Sequence, residues 1–202
     1  MNISDLKNQI TTLISQSITV KQSLLNNQLL ISQIEIVTNI IVDAYNNGNK
    51  VLIAGNGGSA ADAQHMAAEL VGRFYLERVP LPAIALTVDS SALTAIGNDY
   101  GFEHIFARQL EAHGKKGDIY IAISTSGNSN NILSSLNSCK KMGLTSVGLV
   151  GAKMCAMDQS CDHIIKVDST ITPRIQEAHL LIEHIICQLV ESKLVASQNN
   201  TI

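Results

Sequence analysis

The chain has 202 residues, 46% of them hydrophobic and 15% charged, with fourteen Lys+Arg against seventeen Asp+Glu. That length suits one ordinary domain, and that apolar fraction can bury a core, which argues against wholesale disorder. A formal charge of −3 without a basic run argues against nucleic-acid binding, and apolar runs of only a few residues argue against a bilayer span. The first residues, Met1-Asn2-Ile3-Ser4-Asp5, lack the basic and apolar regions of a secretion signal. Cys139, Cys155, Cys161 and Cys187 show no CxxC spacing, which argues against a zinc ribbon or a thioredoxin-like site, so they read as small buried hydrophobes in a reducing cytoplasm. A cytoplasmic globular protein is expected.

Residues 1–48 contain no proline and no glycine before Gly48. Leu6, Ile10, Leu13, Ile14, Leu24 and Leu25, then Ile34, Val37, Ile40 and Ile41, recur at helical spacing. This predicts two helices meeting near Asn26-Asn27, each with one apolar face, as an oligomerising extension over residues 1–48. From Lys50 the pattern changes to short β-rich runs: Val51–Ala54, Ala83–Leu86, Ile119–Ile123, Ser146–Val150 and Ile164–Val167. Near-continuous apolar strands are expected where both sheet faces are covered. Ala60–Arg73, Ser91–Ala112, Asn130–Met142 and Met154–Cys161 have the length of crossover helices. A closing helix starts at Pro173, a good first-turn residue, and runs to about Leu194. The expected fold is α/β: an open, mainly parallel five-stranded sheet with helices on both faces, over residues 49–195. Residues 196–202 read as a polar, frayed tail.

In such sheets ligands collect where strands feed helix N-termini. After the first strand comes Gly55-Asn56-Gly57-Gly58-Ser59-Ala60, and after the third comes Ser124-Thr125-Ser126-Gly127-Asn128-Ser129. Glycines let backbone amides approach an anion, and hydroxyls surround a phosphate with neutral donors. Tight turns capped by serine are the plainer alternative, but two such loops at matching strand ends point to a sugar-phosphate site. The first loop also fits the looser dinucleotide pattern Gly55-x-Gly57-x-x-Ala60. Asp89 lies roughly thirty residues downstream of it, rather than the ~20 that pattern wants.

His65 and Glu69 stand four apart on the helix after the first loop, one turn from each other, where they can share a metal ion or a proton relay. An ordinary surface pair is the alternative. On the closing helix His179 and Glu183 repeat that spacing, while Gln176 and His184, eight apart, also share a face. Spacing does not decide between them.

These motifs, with Leu93 to Phe102 and Arg174-Ile175-Gln176-Glu177-x-His179, resemble the sugar isomerase (SIS) family and, within it, the phosphoheptose isomerases. The serine loop alone marks a SIS domain; His65, Glu69 and His184 together are more specific. The resemblance implies a flavodoxin-like SIS fold and interconversion of sedoheptulose 7-phosphate and D-glycero-D-manno-heptose 7-phosphate, for the heptose of bacterial surface polysaccharide. It implies a homotetramer with active sites at subunit interfaces and one zinc per subunit. By it, Ser124, Thr125, Ser126 and Ser129 hold the phosphate, while Asn56, Gly57, Gly58, Ser59, Arg73, Asn98 and Asp99 contact the sugar. His65, Glu69, Gln176 and His184 match the metal positions, with Gln176 and Glu69 also reaching substrate. Glu69 and His184 match the acid/base pair, Glu69 as base, although the reverse assignment is open.

Two departures stand out. Pro173 replaces an acidic residue of some relatives, and Gly151-Ala152-Lys153-Met154 lacks an expected glycine-rich insertion. Two other functions are weighed. One is a non-catalytic SIS regulator binding a replication initiator, which retention of the acid/base residues disfavours. The other is a nucleotide-dependent oxidoreductase, motivated only by the glycine spacing.

Overall fold

The computed structural model describes residues 3–199, and the side-chain surroundings of residues 5–196. Two long helices, α1 (Ile3–Asn26) and α2 (Gln28–Asn46), come first. They meet where the sequence places the break: Asn27 is extended, and its side-chain oxygen accepts the Leu30 amide at 3.1 Å, an N-cap that satisfies an orphan donor of the new helix.

The rest alternates strand and helix: β1 (Val51–Gly55), α3 (Gly58–Val71), β2 (Ala83–Ala85), α4 (Ser90–Tyr100), α5 (Ile105–His113), β3 (Ile119–Ile123), α6 (Asn130–Met142), β4 (Thr145–Val150), β5 (His163–Lys166) and α7 (Thr172–Asn199). The strands form one sheet in the order β2-β1-β3-β4-β5, every pair parallel. The period-2 alternation of strand side chains divides the core. Val51, Ile53, Ile119, Ile121, Val147 and Leu149 pack against α2, α3 and α7. Leu52, Ala54, Tyr120, Ala122 and Val150 pack against α5 and α6. Both faces are therefore dry, which is why β1 and β3 are buried at all five positions.

Beyond shifts of a residue or two at element ends, three segments differ from the sequence reading. The segment Ser91–Ala112 is broken: α4 stops at Gly101, which takes φ +94°, and a 3₁₀ turn at Phe102–His104 leads into α5. With ψ at 155° the chain leaves the helical region there, a positive-φ conformation that glycine adopts without a Cβ penalty. Met154–Cys161 is not a crossover helix but a 3₁₀ turn at Ala156–Gln159. Its amides serve the serine loop instead, Ala156 donating to Asn128 Oδ1 at 2.9 Å and Met157 to the Gly127 carbonyl at 3.1 Å. The closing helix continues to Asn199, into the segment read as a frayed tail; residues 200–202 lie outside the described residues. Among the described residues no helix is long and apolar enough to cross a membrane.

Candidate active site

β1 and β3 are neighbours in register, Gly55 opposite Ile123, so their following loops emerge side by side. The turn after β1 depends on glycine at each step. A side chain at Gly55 would strike the Ser59 backbone, Gly57 takes φ +58°, and one at Gly58 would collide with the Gln176 amide. Gln176 is thus seated directly on the start of α3. Gly57 also occupies the N-cap of α3, where it offers no side-chain acceptor, leaving the first-turn amides of α3 without a cap from it.

The serine loop follows the same logic. Gly127 takes φ +65°, and a Cβ there would strike Cys155. Ser124 is 4% exposed; its Oγ accepts the Gly127 amide at 3.1 Å and lies 3.2 Å from Ser129 Oγ and 3.5 Å from Ser126 Oγ. Ser129 holds the N-cap position of α6 but makes no side-chain capping bond. The plainer alternative, serine as helix cap, therefore fails here. Its hydroxyl turns toward Ser124, leaving a cluster of hydroxyls beside a helix N-terminus, where an anion is favoured.

An amide pair absent from the sequence reading joins the two loops. Asn56 Nδ2 donates to Asn131 Oδ1 at 2.9 Å, and Asn131 Nδ2 donates back to Asn56 Oδ1 at 2.8 Å. Asn131, 3% exposed, also accepts the Ile132 amide at 3.0 Å. A cleft of about 790 Å³ runs past this pair, lined by Asn56, Ser129, Asn131, Phe102 and Glu103 among others. A smaller one of about 290 Å³, bordered by Thr125, Ser126, Lys153 and Thr172, flanks the other side of the serine loop.

α3 buries Ser59, Ala63, Met66, Ala67 and Leu70, which turns His65 and Glu69 to its other face. There they meet α7. His65 Nε2 lies 2.8 Å from His184 Nε2 and 3.3 Å from Glu69 Oε1, and a ligand atom from each of the three residues falls within 4.8 Å of the others. At that separation one ring nitrogen can donate to the other, or both can present lone pairs to a shared cation. The Phe74 ring closes one side, its centroid 5.7 Å from that of His184.

The competing pair on α7 points elsewhere. His179 and Glu183 are both fully buried. Burial pushes the Glu183 carboxyl up to about 8, with Asp62 adding to the rise, and pushes His179 down to about 4 against a bond to the Val150 carbonyl. They are core groups. Asp62 itself is raised to about 6 by burial, partly offset by His65.

Arg73 is exposed and 3.8 Å from Glu77; Asn98 bonds Asp99 at 2.8 Å on the exposed end of α4. Asp89, the acidic residue of the dinucleotide alternative, caps α4 by accepting the Ala92 amide at 2.9 Å.

The parallel sheet with ligand-type turns at two adjacent strand ends is the architecture of a SIS domain, and the family profile of that description matches residues 17–151. Curated relatives narrow the class. The chain is 58% identical over 180 residues to phosphoheptose isomerase 2 of Campylobacter jejuni, covering 89% of this chain and 90% of that protein. It is 56% identical over 181 residues to the phosphoheptose isomerase of Aneurinibacillus thermoaerophilus, covering 90% and 91%. The solved phosphoheptose isomerase of Neisseria gonorrhoeae superposes with a TM-score of 0.87 at 37% identity, over 93% of this chain and 99% of that one. The chain belongs to the SIS family and, within it, to the phosphoheptose isomerases.

Proposed function

We propose that this chain isomerises sedoheptulose 7-phosphate to D-glycero-D-manno-heptose 7-phosphate. The observation that carries the reading is the meeting of His65, Glu69 and His184 from two different helices, beside two loops built for an anion. Moving a proton between C1 and C2 passes through an enediol or enediolate, which needs a base at carbon and a donor at oxygen. Glu69 takes the base role and His184 the donor role. Ser124, Thr125, Ser126 and Ser129 anchor the phosphate, so that binding energy gained far from the reacting carbons orients them. Asn56, Gly57, Gly58, Ser59 and Gln176 border the sugar, with Arg73, Asn98 and Asp99 as outer contacts.

The donor set fits a zinc ion: two imidazoles and a carboxylate converge, types that zinc accepts, with the Gln176 amide a less usual fourth. Bound there, zinc would polarise the C1 and C2 oxygens as a Lewis acid. A carboxylate on a metal is a weaker base, so Glu69 would serve the proton best when turned toward substrate. One zinc per subunit is part of this reading.

The site is completed by other copies of the chain. Leu6, Ile10, Leu13, Ile14, Ile18, Leu25 and Leu29 are 48–82% exposed along α1 and its junction with α2, an apolar stripe that a lone protomer would leave wet. The same surface supports a homotetramer with sites at subunit interfaces. The four free thiols accord with a cytoplasmic setting. A purely regulatory role is disfavoured by the intact triad.

Incubation with sedoheptulose 7-phosphate, following aldose phosphate, tests the reading. Turnover is expected; no product at any metal loading refutes it.

A further inference from the structure

Glu191 lies on α7 seven residues beyond His184, two turns further along the same side of the helix. It is 1% exposed. Its Oε1 accepts the Phe74 amide at 2.8 Å and Arg78 Nε at 3.1 Å; its Oε2 accepts the amides of Tyr75 at 2.7 Å and Leu76 at 2.8 Å. Burial alone would raise this carboxyl, but the three amides and the guanidinium outweigh it and hold it below the ordinary range. Arg78, its side chain 2% exposed, turns its other nitrogens back onto the chain. Nη2 donates to the Glu69 carbonyl at 3.0 Å, and Nη1 to those of Gly72 at 3.3 Å and Val79 at 3.0 Å.

Two branches of this network end at the triad. The Phe74 backbone is held by Glu191, and its ring stands against the His184 ring. Arg78 is held by Glu191, and it grips the backbone of Glu69. A carboxylate with four donors, three of them amides of one irregular loop, is a charge-assisted fastening of that loop. His184 and Glu69 reside on separate helices, so nothing within either helix fixes their mutual placement. The loop over residues 72–79 spans that gap.

Resting on the isomerase reading above, we propose that Glu191 is a positioning residue for the reaction: by fastening the 72–79 loop it sets the His184 ring through Phe74 and the Glu69 backbone through Arg78. It touches no substrate. Its removal acts on proton transfer, which tolerates little misplacement, and not on phosphate binding, which belongs to the serine loop.

The test compares the full-length wild type with Glu191→Gln, Glu191→Asp and Phe74→Leu, each shown folded by circular dichroism at the assay temperature. With sedoheptulose 7-phosphate, Phe74→Leu lowers kcat about fivefold and Glu191→Gln about twentyfold, with KM within about twofold of wild type. Glu191→Asp, which keeps the charge, recovers part of the loss. In both Phe74→Leu and Glu191→Gln the His184 imidazole resonances move, while those of exposed His113 stay. A kcat within about twofold of wild type in Phe74→Leu overturns the proposal, including the case where Glu191→Gln does not fold. A raised KM at unchanged kcat in either folded variant overturns it too. An inactive wild type refutes the isomerase reading separately; the His184 resonances of Glu191→Gln or Glu191→Asp, which keep the Phe74 ring, then decide alone, and unmoved resonances in the folded variant overturn the proposal.

Discussion

Replacing His179 by leucine should flatten the acid side of the stability profile. His179 is fully buried between α7 and the end of β4. Its Nε2 donates to the Val150 carbonyl at 3.3 Å, and its Nδ1 has no hydrogen-bond partner. Burial holds the folded-state pKa at about 4, against about 6.5 in the unfolded chain. The unfolded chain therefore binds the proton first as pH falls, and stability is lost from about pH 6.5 down to about 4. Integrating that difference, this one side chain removes about 2.5 kcal/mol between pH 7.5 and 4.5. Urea unfolding of wild type and His179→Leu at several pH values isolates the term, because every other titrating group is common to both. The wild type should lose about 2.5 kcal/mol more than the variant over that range. Parallel profiles would refute the reasoning and would mean that His179 is hydrated or paired in solution.

Two further outcomes follow from the site. Asn131→Leu leaves Asn56 without its reciprocal partner and uncouples the glycine loop from the serine loop. It should raise KM for the sugar phosphate about tenfold while changing kcat less than about threefold, as steady-state kinetics will show. Metal analysis of purified protein should find about one zinc per chain, and His65→Ala or His184→Ala should each cut that by about tenfold or more.

The sheet was legible because its strands are apolar on both faces and the loops after β1 and β3 carry glycine and serine. His65 and Glu69 were legible because four-residue spacing survives on a helix with one buried face. His184 was not separable from His179 by pattern. α7 packs against α1, α2 and α3, so polar residues occur on its buried side as well, and Glu183 and Glu191 are both buried there. The Asn56–Asn131 pair and the Glu191 fastening were invisible because they join residues 75 and 113 or more apart, and no local spacing encodes such contacts. The segment Met154–Cys161 misled because a helical length was available but its amides were claimed by the neighbouring loop. The break at Gly101 did carry a signal, a glycine following Asn-Asp-Tyr, of the kind that stops helices.

The most direct measurement is turnover of sedoheptulose 7-phosphate by Glu69→Gln beside calorimetric binding of the same sugar phosphate. Gln keeps the shape and hydrogen-bonding reach of the side chain but cannot accept a proton from carbon. The account predicts binding within about threefold of wild type and kcat lower by about 10² or more. Wild-type turnover in that variant would contradict it, because the carboxylate that α3 sets beside His184 would then have no part in moving the proton.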